Sequence, residues 1–336
     1  MRVLRKPRVN RVLLAILGVT FGLGLGWTAI RGAEWQHISE AIRDFPPLLL
    51  IAALAIFMVS NFLRAYRWRL CWVDEPVTTW RLFIVENAAL GLNNVSPVRA
   101  LEEAVELGIL TLRDKLPGGQ VIATMMMARI QDLAFTLLFI TVALALVPAL
   151  LKFTPAIAFV FVFFAAWLFI LLRFGAILRR FPRLRSLPAI SSFEDALALI
   201  YARKQRMAYA FSMTCTYWLL LGPVGWLLAR GLDIDIGFHL IMVTVIGSIF
   251  FSTTVPGLPG AVGTFEFAAV ALMDLWGVPK EPALTFAVLL HGVLFIPPIL
   301  MTIVVFPREG LGSFRAIREI MGQRAQARQD EPSSPT

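Results

Sequence analysis

Charge and cysteine are both scarce in this sequence. Only 16% of the 336 residues are charged and 58% are hydrophobic, whereas a soluble domain averages roughly 25% and 45–50%. A soluble globular protein is thereby excluded. The two cysteines, Cys71 and Cys215, fall at a membrane boundary and inside a helix, which predicts no structural disulfide. The three histidines, His37, His239 and His291, show no metal-ligand spacing. HExxH, Walker A, GxSxG and paired intramembrane Asp motifs are all missing, so no nucleophile–base set, ATPase or metal site is expected. Neither enzyme chemistry nor a cofactor follows from these residues.

What is abundant is apolar sequence. Runs near the ~20 residues needed to cross a bilayer occur at about 13–30, 47–63, 119–147, 155–172, 207–228, 238–255 and 283–306. The basic start followed by an apolar run predicts a retained first helix, not a cleaved leader, since no A-x-A-type site precedes the Trp35 loop. With the N-terminus inside, segments 1–12, 64–81, 113–115, 173–185, 203–206 and 308–328 share one side and hold 24 of the 31 Lys and Arg residues. The positive-inside rule then puts both termini in the cytoplasm of a multi-pass inner-membrane protein. The net charge of +9 is accordingly a topology signal, and no nucleic-acid partner is implied. Residues 1–308 read as a single transmembrane domain and 309–336 as a basic, partly disordered cytoplasmic tail. Residues 190–201 are compatible with an amphipathic surface helix, and the basic clusters around them with anionic lipid or simple topology signals.

Two of the apolar stretches are interrupted. Leu82 to Val95 is too short to cross and ends at Asn93-Asn94-Val95-Ser96-Pro97, after which Val98 to Leu112 resumes with helical periodicity. Pro256-Gly257-Leu258-Pro259-Gly260-Ala261-Val262-Gly263 interrupts the second stretch just before Glu266. Broken backbone at membrane depth survives only where protein or a wet cavity satisfies its polar groups. Each break is followed by an acidic helix, a short Gly/Pro turn and a full span. By charge bias the span 119–147 runs outward and 283–306 inward. The predicted fold is all-α and polytopic, with about eight transmembrane elements and two broken-helix or re-entrant hairpins. The repeat-like units 82–147 and 238–306 are then related by inverted topology, as in secondary transporters.

The candidate chemistry lies beside the breaks. Arg99 is three and four residues from Glu102 and Glu103, and Glu102 is four from Glu106, so these share helix faces. Either this helix dips into the bilayer around a wet cavity, or it lies on the cytoplasmic surface with a solvated acidic side. Arg129 and Asp132, three apart in an apolar span, suit a local ion pair; alternatively Arg129 meets a lipid phosphate or a glutamate of 98–112. Glu266 sits in the first turns of its helix, where the helix dipole favours it. The same helix start offers N–H donors to an anion such as a phosphate headgroup. His291 is a packing residue or a partner of Glu266.

These residues resemble the flippase-like membrane region of lysylphosphatidylglycerol synthase and its free-standing relatives. The family's Asn segment followed by Pro-Gly-Arg-x-Gly-Glu is matched by Asn93, Asn94, Pro97, Arg99 and Glu102, with Val98 and Leu101 in place of the two glycines. Its Glu-Arg-x-x-Asp is matched by Arg129 and Asp132, with Ala128 replacing the glutamate. Its Pro-Gly-Gly-x-Gly-x-x-Glu is matched by Pro259, Gly260, Gly263 and Glu266, and His291 stands where many members have arginine. The resemblance covers roughly 10–308 and implies translocation of a phospholipid or isoprenoid-linked lipid, without the aminoacyl-transferase domain of the synthases. The implied substrate site is Asn94, Pro97, Arg99, Glu102, Arg129, Asp132, Pro259, Gly260, Gly263, Glu266 and His291. The implied partners are membrane lipids with an anionic headgroup, and a homo-oligomer or envelope lipid-synthesis enzymes. The competing reading is a non-transporting scaffold or lipid-binding accessory protein.

Overall fold

The computed structural model describes residues 9–73, 75–96, 101–178, 180, 188–255 and 257–309, and among them the chain is helical with no strand. Pro97 and Arg99 lie outside the described residues. In chain order the helices are α1 (Val9–Ile30), α2 (Trp35–Arg43), α3 (Pro47–Cys71), α4 (Thr79–Val95) and α5 (Leu101–Gly108). A π-helical turn (Ile109–Arg113) extends α5, and α6 (Gly118–Leu146), α7 (Thr154–Leu178) and α8 (Pro188–Ala202) follow. The remainder is α9 (Lys204–Leu219), α10 (Leu221–Gly231), α11 (Phe238–Thr254), α12 (Thr264–Leu275) and α13 (Lys280–Arg308).

Among the described residues, four segments are long and apolar enough to cross a membrane: α3, α6, the α9–α10 pair and α13. The expected run 207–228 is therefore two helices, jointed at Leu220. The larger correction concerns α3. Residues 64–71 were expected to belong to a basic surface segment, but they continue the helix to Cys71 and carry Arg64 and Arg67 into the packed interior. Arginines are admitted there because carboxylates on three neighbouring helices meet them.

The ends of the bundle are defined by polar contacts. At the first end, Arg81 near the start of α4 binds Asp114 (2.8 and 2.9 Å), beyond the π turn, and Glu309 (2.5 Å), at the end of α13. Arg113 adds a 3.0 Å contact to Glu309. At the second end, Lys280 at the start of α13 donates to the carbonyls of Thr28 (3.0 Å) and Arg31 (2.6 Å), closing off α1. The last residue of α10, Gly231, lies against Phe45 at that same end, so α11 starts there.

The two broken segments therefore enter from opposite ends. Helix α4 runs inward from the first end, stops at Val95, and α5 returns. Helix α11 runs inward from the second end, stops at Val255, and α12 returns. Each first arm is 17 residues and each following span, α6 or α13, is 29. The tips meet: a Cβ built on Gly260 would stand 3.0 Å from the carbonyl oxygen of Asn94. Helix α4 packs along α13, with Gly91 so close that a Cβ would come within 2.1 Å of the Pro298 carbonyl oxygen. The Thr302 hydroxyl donates to Ala88 O at 2.8 Å across the same seam.

Candidate functional site

The first half of the site grows from α3. Asn61, Arg64 and Trp68 recur three and four residues apart, so they share one helix face, with Arg67 beside them. Arg64 Nε meets Glu86 of α4 at 2.9 Å and its Nη2 meets Glu102 of α5 at 2.6 Å. Glu106, one turn beyond Glu102, is buried within electrostatic reach of both glutamates and of Arg64. Arg67 donates to the carbonyl of Ala128 (2.8 Å), contacts Asp132 of α6 (3.5 Å) and lies over the Tyr217 ring. Asp132 also accepts from the Tyr217 hydroxyl and from Trp218 Nε1 (3.4 Å), both on α9. Uncharged bonds frame the cluster: Asn61 to Asn87 (3.0 Å), Trp68 to Thr124 (3.1 Å) and Thr214 to Gln131 (3.2 Å).

Of the expected pairings of Arg129, the contact with a glutamate of 98–112 is the one observed. Arg129 and Asp132 do not form the local i,i+3 pair. Asp132 turns to Arg67 and Tyr217, and Arg129 reaches Glu103 of α5 at 2.5 Å. Adjacent glutamates on one helix point apart, which explains how both are used: Glu102 is buried against Arg64, whereas Glu103 and Arg129 are about half exposed.

The second half is the start of α12. Gly260, Ala261 and Gly263 take left-handed φ of 69°, 58° and 84°, a region costing an L-residue such as alanine roughly 1–2 kcal/mol. That geometry turns the chain from α11 into α12. Glu266 then reaches back, its Oε2 accepting from the Gly263 N–H (2.6 Å) and its Oε1 meeting His291 Nδ1 of α13 (2.5 Å). His291 rests between the Phe265 and Phe295 rings. The N–H expected to face an anion is thus taken by the protein's own carboxylate. Asn94, Gly260 and Pro259 lie where the two tips touch. Of the side chains expected to line an open cavity between the hairpins, Glu102, Asp132, Glu266 and His291 are paired within the protein, and Arg129 is half exposed beside Glu103.

Two further features stand apart. A cleft of about 390 Å³ opens at the first end between the end of α3, the start of α6 and α8, lined among others by Cys71, Glu75, Gln120 and Asp195. At the second end His37 comes within 4.8 Å of Glu34 and Glu281, a grouping its sequence spacing does not reveal; all three are exposed or half-exposed. Both cysteines are free, as expected.

The residues that the sequence reading missed are Arg64, Arg67, Glu86 and Tyr217. Glu86 had a usable signal, a lone carboxylate in an apolar arm. The arginines had none, because basic residues at the end of an apolar run read as a topology signal. Residues 15–301 match the family model described as the lysylphosphatidylglycerol synthase TM region. No curated protein matches the chain.

Proposed function

Because the chain belongs to the lysylphosphatidylglycerol synthase transmembrane-region family, we propose that this multi-pass membrane protein is a lipid flippase. It moves a phospholipid or isoprenoid-linked lipid across the cytoplasmic membrane, with no enzymatic step and no cofactor. One observation carries the reading: two half-helix hairpins enter from opposite ends and touch at Asn94 and Gly260, beside buried ion pairs. Transporters place substrate sites between such broken helices, and a membrane anchor has no use for buried arginines and glutamates.

In this reading Arg129, half exposed beside Glu103, is the headgroup cation, since its planar fork binds phosphate with two hydrogen bonds. Arg64 and Arg67 stay committed to Glu86, Glu102 and Asp132 until a hairpin moves. Glu266 and His291 fix the second tip. The arginine-bearing first end, with Arg81 and Arg113, faces the cytoplasm by the positive-inside rule, and both termini lie on that side. Lipids with anionic headgroups are the natural partners, with a second copy or envelope lipid enzymes as protein partners.

The test is transbilayer movement of labelled lipids in liposomes holding the purified protein, beside Arg129→Ala and Glu266→Gln. Movement above that of empty liposomes, weakened in both variants, supports the flippase. A scaffold or lipid-binding accessory protein is the second reading, favoured by the mutual pairing of the buried charges. Lipid binding without movement across a broad lipid panel would establish it instead.

A further inference from the structure

The buried charges around Arg64 do not balance. Among the described residues, Glu86, Glu102 and Glu106 are buried carboxylates, Asp132 is partly buried, and Arg64 and Arg67 are the guanidiniums bonded within the cluster. Arg67 is committed to Asp132 and Arg129 to Glu103. Arg64 alone remains for three glutamates, so two carboxylates are in excess. One is identified by geometry: Glu86 is 4% exposed, and its Oε2 has no hydrogen-bond partner while Oε1 holds Arg64. The other is Glu106, which shows no hydrogen bond or ion pair among the described residues. Arg129 also acts on Glu102 and Glu106 from α6 while bonded to Glu103, and the remaining neighbours among the described residues bring no further cation. Helix α9 presents the Tyr217 hydroxyl, already given to Asp132, and α13 presents the Thr302 hydroxyl to Ala88.

An unpaired carboxylate buried in protein is costly enough that it neutralises, and carboxylates sharing one site do not all stay ionised. We infer that the α4–α5 hairpin carries a proton-binding site, made by Glu86 and Glu106 beside the Arg64–Glu102 pair, and that its protons exchange with solvent as the hairpin moves. The ligand is the proton itself, taken from water and returned to it, and only an O–H bond forms or breaks. The inference rests on the flippase reading for its role and deepens it: the proton supplies the coupled ion of a chain without an ATPase motif. Glu102 and Glu266 do not take this part, since both are saturated here, by Arg64 and by Gly263 with His291.

Infrared spectroscopy of the purified full chain tests the site directly. At neutral pH surface carboxylates are ionised, so a protonated-carboxyl band, shifting on H/D exchange, reports buried acids. The wild type should show it, Glu86→Gln and Glu106→Gln should each lose part of it, and the double variant should lose it. These isosteric changes remove surplus charge, so the variants should fold. No band in the wild type, or an unchanged band in both single variants, overturns the site. In liposomes, an imposed pH gradient should accelerate wild-type lipid movement several-fold and should not accelerate it in the double variant. Equal acceleration in both overturns the coupling. Lipid movement without the band leaves the flippase and removes the proton site; the band without lipid movement does the reverse.

Discussion

Gly260 and Asn94 hold the two hairpin tips together at backbone range: the space a Gly260 side chain would need lies 3.0 Å from the Asn94 carbonyl oxygen. Gly260 also has φ +69°, where only glycine is relaxed. Gly260→Ala is therefore expected to lower stability by about 1–2 kcal/mol from the backbone alone and to push the tips apart. Thermal unfolding in detergent measures the first effect. Loss of lipid movement out of proportion to that shift marks the second.

Arg67 and Arg129 should separate stability from function. Arg67→Ala removes a fully buried guanidinium and leaves the partly buried Asp132 without it, a change of about 3–5 kcal/mol. Arg129 pairs with Glu103 at half exposure, so Arg129→Ala should cost about 0–1 kcal/mol. Denaturation curves of the two variants are the check. If Arg129→Ala proves the less stable, the assignment of Arg129 to the exposed, headgroup-facing role is wrong.

Glu266 has two partners that one substitution can split. Glu266→Gln keeps an oxygen for the Gly263 N–H but not a charge for His291. Glu266→Ala loses both and should cost about 1–2 kcal/mol, the range of a lost helix cap. The glutamine variant should melt nearer the wild type while moving lipid more slowly. Equal melting of the two variants would show that the cap contributes nothing.

The first end predicts a pH response. Hydrogen bonds from Arg81 hold the Glu309 carboxyl below its ordinary value of 4.5. A lowered carboxylate contributes stability that is fully present above that ordinary value and is lost as pH falls through the lower, folded value. Thermal stability should thus drop on acidification below about 4.5, and the gap between wild type and Glu309→Gln should close there. The same bonds raise Arg81 further above its ordinary range, so alkali should leave this contact intact. A gap that stays constant down the acid range would rule out Glu309 as its source.

Much of the fold was readable because membrane helices fail in few ways. Ser96-Pro97 and Pro259-Gly260 punctuate the chain just after helices end, α4 at Val95, and their positions beside runs too short to cross revealed the hairpins. The match of arm and span lengths followed from the same punctuation. The site was half readable. Glu102, Arg129, Asp132 and Glu266 stand out as charges in apolar surroundings, and all four are engaged. Arg129 and Glu266 found partners the sequence had offered as alternatives, Glu103 and His291, whereas Arg67 to Asp132 and Arg64 to Glu102 are tertiary contacts that local i,i+3 reasoning does not reach. Arg64 and Arg67 were hidden by a rule that is right on average: arginines at a helix end generally snorkel to the surface.

The seam between α4 and α13 bears on how such a chain can move. Gly91 abuts the Pro298 carbonyl and Thr302 is hydrogen bonded to Ala88, so an arm of one repeat is fastened along the long span of the other. The mechanical parts are then not the repeats that the sequence displays. A rocking body would contain α4 together with α13, and the sliding boundary would fall inside the first repeat, where Arg64 of α3 bridges Glu86 of α4 to Glu102 of α5.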